Sequence, residues 1–149
     1  MNHNLDFGEY RLARAGRLLL VVWSVVLLAG FAMAARLEPD PRGFGTHQRL
    51  GLLPCTFQSM FNIPCPSCGM TTSFANVVRG RFRDAARANP AGLMLAIMCA
   101  LQIPWCWVSI VRGRLWKVSQ PDVALLWLIA VVCVASALQW VIRFIGSYY

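Results

Sequence analysis

The residues with the clearest chemical potential are three cysteines in the first half of the chain. Cys65 and Cys68 enclose a proline and a serine, Gly69 follows them, and nine residues separate Cys55 from Cys65. Two cysteines at this spacing can bind one metal ion or close a small disulfide ring. The proline fixes one backbone angle, and Gly69 permits a conformation that most residues avoid. The pattern therefore indicates a rigid turn that carries thiols.

A metal site is the first of three interpretations of this turn. Cys65 and Cys68 would supply two thiolates and Cys55 a third, and His47 or an oxygen atom would complete the set. Four ligands of this kind are typical of structural zinc. The predicted metal is zinc or another ion that binds thiolates.

The other two interpretations are a redox dithiol and a purely structural turn. In a redox dithiol Cys65 would attack and Cys68 would resolve, because a thiol at a helix N-terminus is more readily ionised. The sequence lacks the βαβ pattern of a thioredoxin-like unit. In the structural interpretation the cysteines shape a re-entrant turn, with or without a disulfide to Cys55, and have no chemistry of their own.

Composition places this chain in a membrane rather than in water. Of its 149 residues, 58% are hydrophobic and 13% are charged. A typical soluble domain has about 45–50% apolar and about 25% charged residues, and a small one leaves much of its surface exposed. The net charge is +8, but the basic residues flank the apolar runs, as they do in membrane-protein loops. Nucleic-acid binding is not expected, because the sequence shows no basic face or aromatic-interleaved module.

Three apolar runs are long enough to cross a bilayer, at about residues 18–35, 91–111 and 123–142. A helical span needs about 17–25 residues. The second run follows Asn89 and Pro90, a pair that favours a helix start, with asparagine at the N-cap and proline at the first helical position. The sequence therefore predicts three transmembrane helices.

The first run also has features of a secretory signal peptide. A basic segment precedes it, and Ala32-Met33-Ala34 fits the small-residue cleavage pattern. The run is long for a signal peptide, and two further spans follow it, so an uncleaved helix is the prediction.

Polar residues within the predicted spans are few. No charged residue lies deep inside a span, which argues against an ion or proton pathway within one monomer; a transporter or channel subunit would need to oligomerise. Gln102 and Gln139 lie inside spans and are expected to find partners between helices.

The segment that carries the cysteines lies between the first two spans. A linker rich in proline and glycine, residues 36–49, is predicted to have no regular structure. Residues from about 50 to 69 are apolar but too short to cross, and Pro54 and Pro64 break them. Such a segment favours a re-entrant or interfacial position. The alternative is a true fourth pass over residues 50–78.

Residues from about 70 to 88 are predicted to form an amphipathic helix at the membrane surface, with a solvated basic loop as the alternative. Apolar residues recur there at helical spacing, at Met70, Phe74, Val77 and Val78. Gly80 interrupts the pattern and arginines follow it. Thr71 and Thr72 are predicted to cap the helix.

The distribution of basic residues does not select one orientation of the chain in the membrane. The arginines that flank the first span favour a cytoplasmic N-terminus, whereas the total number of basic residues on each side favours the opposite.

The stretch from Pro54 to Pro90 resembles a family of small bacterial membrane proteins that is catalogued as a domain of unknown function. The resemblance rests on Cys65-Pro66-Ser67-Cys68-Gly69-Met70-Thr71, on the preceding Pro54-Cys55, and on the later Gly80, Ala85 and Asn89-Pro90. Many members have a basic residue where this chain has Thr72. The resemblance implies a membrane fold and singles out Cys55, Cys65, Cys68 and Gly69, and it implies no activity.

Together these features predict an all-α, multi-pass protein of the bacterial cell (inner) membrane, forming a single domain over residues 1–149. The expected function is non-enzymatic: the cysteine segment holds a structural metal or disulfide and supports a membrane complex. Its expected partners are the lipid bilayer and another membrane protein or a second copy of the chain. A membrane thiol-redox protein that uses Cys65 and Cys68 is the alternative.

Overall fold

The fold is all-helical. A computed structural model describes residues 11–46, 48, 51, 53, 60, 65, 67–118 and 120–146. These residues form five α-helices and no β-strand. The helices are α1 (Arg14–Arg36), α2 (Met70–Val78), α3 (Phe82–Ala88), α4 (Pro90–Arg112) and α5 (Pro121–Gly146).

Among the described residues, three helices are long and apolar enough to cross a membrane. These are α1, α4 and α5, and each contains one of the three predicted apolar runs. Each helix extends beyond its run by one to four residues at each end. Asn89 is the N-cap of α4 and Pro90 is its first residue, as the sequence predicts.

The helices α1 and α4 are antiparallel. Near the start of α1 the Leu12 N–H donates to the Gly113 carbonyl at the end of α4, at 2.9 Å. Halfway along, Trp23 Nε1 donates to Gln102 Oε1 at 3.2 Å. The connection between the two helices therefore begins and ends at the same end of the bundle. A single extra pass over residues 50–78 would make these helices parallel, so the four-pass alternative does not fit.

Helix α5 packs against α4, and among the described helices it contacts no other. The Ala91 N–H in the first turn of α4 donates to Gln139 Oε1 at 2.9 Å. This N–H has no acceptor within its own helix, so Gln139 supplies one from the neighbouring helix. The expectation that Gln102 and Gln139 find partners between helices is confirmed.

The segment from about 70 to 88 contains two helices rather than one, with Gly80 between them in a left-handed conformation. Its burial also differs from the prediction. The polar residues Thr72, Ser73 and Asn76 are buried, whereas Val78, on the predicted apolar stripe, is exposed. Small polar side chains allow backbones to approach closely and to bond across helices, which is typical of helices packed in lipid.

The same arrangement, with polar side chains inside and apolar side chains outside, extends through the bundle. The buried polar residues are Ser24, Thr46, Thr72, Ser73, Asn76, Asn89, Ser109 and Gln139. Most buried apolar residues are alanines. Large apolar side chains cover the outer surface; those at least 60% exposed on the long helices include Leu18, Leu19, Leu101, Leu126, Trp127 and Ile142. Among the described residues, the core thus consists mainly of small or polar side chains, and large apolar side chains cover the outer surface of the long helices.

Candidate functional site

The cysteine turn lies at the end of the bundle where α1 finishes and α4 begins. The Cys68 N–H donates to the Cys65 carbonyl at 3.0 Å, which closes a tight turn. The Met70 N–H then donates to the Ser67 carbonyl at 3.1 Å as α2 starts. Cys68 is buried and Cys65 is half-buried. Two of the three predicted metal ligands, Cys65 and Cys68, therefore lie at the two ends of one turn.

The other predicted ligands, Cys55 and His47, lie outside the described residues. Within the described part of the chain, no group of three histidine, cysteine, aspartate or glutamate side chains could hold a metal ion. A site formed by Cys65 and Cys68 would therefore depend on ligands such as Cys55.

Two expectations about the start of α2 are wrong. The N-cap is Gly69, so Cys65 lies too far from the first turn to be influenced by the helix dipole, and Cys68 is the nearer cysteine. The N-cap position also lacks a capping hydrogen bond from a side chain. The Thr72 hydroxyl instead forms a hydrogen bond with that of Thr46, 26 residues earlier, because tertiary packing buries it.

Gly69 allows the cysteine turn to lie directly against two other backbone segments. Its φ is +86°, in the left-handed region. A Cβ at this position would collide with the carbonyl oxygen of Ala88 and lie 2.6 Å from that of Gly43. Only glycine suits both the conformation and the space. The turn is therefore wedged between the linker after α1 and the junction of α3 with α4.

Asn89 joins the cysteine turn to α4. Its side chain is fully buried. Asn89 Nδ2 donates to the Cys68 carbonyl at 3.0 Å, and Asn89 Oδ1 accepts from the Gly92 N–H at 2.7 Å. The Asn89 carbonyl accepts from Ser73 Oγ at 3.2 Å. One asparagine thus connects the turn, α2 and the first turn of α4.

The described part of the linker after α1 is irregular, as predicted, except for a 3₁₀ turn at residues 46 and 48, and it is anchored to this site. The hydroxyls of Thr46 and Thr72 are buried and lie 2.7 Å apart. The Asp40 N–H donates to Thr46 Oγ1 at 3.0 Å. Asp40 also accepts hydrogen bonds from the Arg42 side chain, which, with the attraction between their charges, raise the pKa of Arg42. Nothing in the sequence alone pairs Thr46 with Thr72, which are 26 residues apart.

Arg79 joins α2 to the end of α1. Its guanidinium donates to the carbonyls of Ala75 at 2.7 Å, Ala34 at 3.4 Å and Ala35 at 3.0 Å. The last carbonyls of a helix lack partners within it, and a cation at this end also favours the helix dipole. Arg79 therefore caps α1, a role that its place in a basic stretch does not indicate.

We expect Arg79→Met to lower the free energy of unfolding by about 1–2 kcal/mol, because it removes the hydrogen bonds that join α2 to the end of α1. Thermal unfolding of the full chain in detergent, followed by circular dichroism, measures the loss. Arg83→Met is the matched control, since Arg83 is exposed on α3 and should change little. Equal losses in the two variants would contradict the capping role.

A polar groove of about 460 Å³ opens beside the turn. Its charged lining residues are Asp40, Arg42, Arg81, Asp84 and Arg87, and Thr72 and Asn76 also contribute to its wall. Asp40 pairs with Arg42 at 2.8 Å and Asp84 approaches Arg87 at 3.7 Å. Both acids are thus engaged by arginines of their own segments, which favours a structural role for the groove over acid–base chemistry.

A family model described as a protein of unknown function (DUF2752) matches residues 55–103. The match spans the cysteine turn. It also covers α2, α3 and the first half of α4, about a third of the chain. The resemblance to a domain of unknown function is thereby confirmed over this segment. No curated protein and no solved structure matches the chain.

Proposed function

We propose that this chain is an integral membrane protein that crosses the bilayer three times, through α1, α4 and α5. The support is the inverted burial: alanines and small polar residues fill the core, and large apolar side chains cover the outside. In water such a surface would be an aggregation hazard, whereas in lipid it is the favourable one.

Alkaline carbonate extraction of membranes from expressing cells tests this insertion. We expect the full chain to stay in the membrane pellet and to leave it only with detergent. Release into the carbonate supernatant would contradict insertion.

We infer further that the cysteine turn is a structural metal site rather than an active site. The observation that carries this inference is the placement of Cys65 and Cys68 at the two ends of one tight turn, which Gly69 and Asn89 hold against the α3–α4 junction. Thiolates separated by two residues are a common half of a four-ligand zinc site. Cys55 is the proposed third ligand, and His47 or an oxygen atom the fourth.

The proposed role of the metal is to fasten the segment before the turn to this end of the bundle. The metal would join Cys55, in the segment before the turn, to the α2–α4 junction. The resulting rigid cap would support a complex with another membrane protein or with a second copy of the chain.

Metal analysis of the detergent-purified chain tests the site. We expect about one zinc or similar ion per chain, and a background level in Cys65→Ser. Cys133→Ser is the matched control, because Cys133 is exposed on α5, far along the chain from the turn, and should leave the metal content unchanged. Equal and negligible metal in all three proteins would contradict the metal site.

A thiol-redox protein is the second candidate, and the unequal exposure of the two cysteines favours it. Cys65 is half-buried and Cys68 is buried, which suits an attacking and a resolving thiol. Differential alkylation with mass spectrometry should then show the pair cycling between thiol and disulfide, while Cys99 and Cys133 stay unchanged. Inertness of the pair to both oxidant and reductant would exclude this candidate.

A further inference from the structure

Four arginines surround a cavity of about 540 Å³ at the end of the bundle opposite to the cysteine turn. Two belong to the start of α1 and its approach, and two to the end of α4 and the residues after it. They are Arg11, Arg17, Arg112 and Arg114. Leu12, Ala13 and Gly113 complete the lining.

Backbone pairing joins the two segments that carry these arginines. Arg11 and Arg114 form an isolated antiparallel bridge, which the bond from the Leu12 N–H to the Gly113 carbonyl supports at 2.9 Å. Gly113 has a φ of +69°, and a Cβ there would lie 2.6 Å from Arg17 Nη2. The Arg17 side chain thus lies over a glycine. Pairing of the two chain segments places all four arginines around one cavity.

The cavity is strongly cationic. No acidic residue of the described part of the chain lines it. Gathering four like charges costs free energy, which an anion in the cavity would offset. Guanidinium groups bind phosphate with two parallel hydrogen bonds, so phosphate is the anion that this arrangement suits.

Apolar side chains lie immediately beside these charges. Leu18 and Leu19 follow Arg17 and are 64% and 69% exposed, and Val111 precedes Arg112 and is 84% exposed. A ligand with a phosphate head and hydrocarbon chains fits both surfaces, whereas a free phosphate uses only the first. Basic pockets at the ends of membrane helices bind lipid headgroups in this way.

We propose that this cavity binds the phosphate headgroup of an anionic phospholipid, with the acyl chains along the exposed residues of α1 and α4. The proposal rests on the membrane insertion proposed above. It is independent of the metal at the other end of the bundle.

Native mass spectrometry of the full chain in a neutral detergent tests the site. Phosphatidylglycerol is titrated against zwitterionic phosphatidylcholine. The wild type should retain phosphatidylglycerol preferentially. The double variant Arg17→Gln/Arg112→Gln should bind it about 25-fold more weakly, at about fivefold for each arginine lost. Arg17→Lys/Arg112→Lys keeps the charge but loses the paired hydrogen bonds of the guanidinium groups, so it should recover only part of the affinity.

Arg81→Gln/Arg83→Gln is the matched control, because it removes two exposed arginines at the other end of the bundle. It should change the affinity less than about twofold. Equal losses in the two glutamine variants, or equal retention of the two lipids by the wild type, would overturn the proposal. Displacement of the lipid by millimolar inorganic phosphate would also overturn it, in favour of a free-phosphate site.

Carbonate extraction of the same proteins separates this inference from the proposed function. A chain that stays in the membrane but shows no lipid preference overturns the headgroup site alone. A wild-type chain that carbonate releases overturns the membrane insertion itself.

Discussion

We expect Gly69→Ala to lower the free energy of unfolding by about 3 kcal/mol. A left-handed backbone costs an alanine about 1–2 kcal/mol, and forcing extra atoms into a packed site adds about 1–3 kcal/mol. The atoms that the new methyl group would meet are backbone carbonyls of Ala88 and Gly43. Backbone cannot turn aside as a flexible side chain can, so the linker and the α3–α4 junction would have to separate.

Gly80→Ala provides the matched control. Gly80 has a φ of +70°, but a Cβ there would meet no atom within 4 Å. This variant should lose only the conformational part, about 1 kcal/mol. Thermal unfolding in detergent compares the two, with expected midpoint decreases of about 6–12 °C for Gly69→Ala and about 2–4 °C for Gly80→Ala. Equal decreases would show that the turn does not depend on close packing at Gly69.

The sequence predicts the long helices well because their signals are local. Apolar length alone places α1, α4 and α5, and the asparagine–proline pair gives the start of α4 to the residue. These signals are strong because backbone groups of a helix bond within the helix itself, so few distant residues are needed to explain it.

The candidate site is harder to predict because distant residues build it. The contacts of Thr46 with Thr72, and of Arg79 with the end of α1, join segments that no local pattern links. The prediction of which side of α2 is buried is wrong for another reason. Helical periodicity identifies an apolar stripe but not whether protein or lipid lies against it, and here the polar side packs inward.

The residues that build the candidate site lie on both sides of the boundary of the family match. Residues 55–103 include Gly69 and Asn89, whereas Gly43 and Thr46, which pack against the turn, precede the match. The cysteine turn is therefore supported from both sides, by the matched segment and by a linker outside it. Substitutions in that linker should weaken the turn although the linker carries no motif residue.

Asn89→Ala is expected to have an effect similar to that of Gly69→Ala, at about 3 kcal/mol. The substitution removes the N-cap of α4, worth about 1 kcal/mol. It also removes the bond from this buried side chain to the Cys68 carbonyl, at about 1–3 kcal/mol for a buried group that loses its partner. The loss should appear in thermal unfolding and in faster amide hydrogen exchange of the peptide that contains the cysteine turn.

Asn76→Ala is the matched control, since Asn76 is a second buried asparagine only 5% exposed. Its Nδ2 donates to the Thr72 carbonyl one turn earlier in its own helix, so its loss separates no two elements and should cost about 1 kcal/mol. Asn89→Asp keeps the acceptor for Gly92 and removes the donor to Cys68. It should therefore speed exchange in the turn more than at the start of α4. Of these two asparagines, only Asn89 bonds the cysteine turn in the described structure. Unchanged amide hydrogen exchange of the turn in Asn89→Asp would therefore show that other contacts hold the turn.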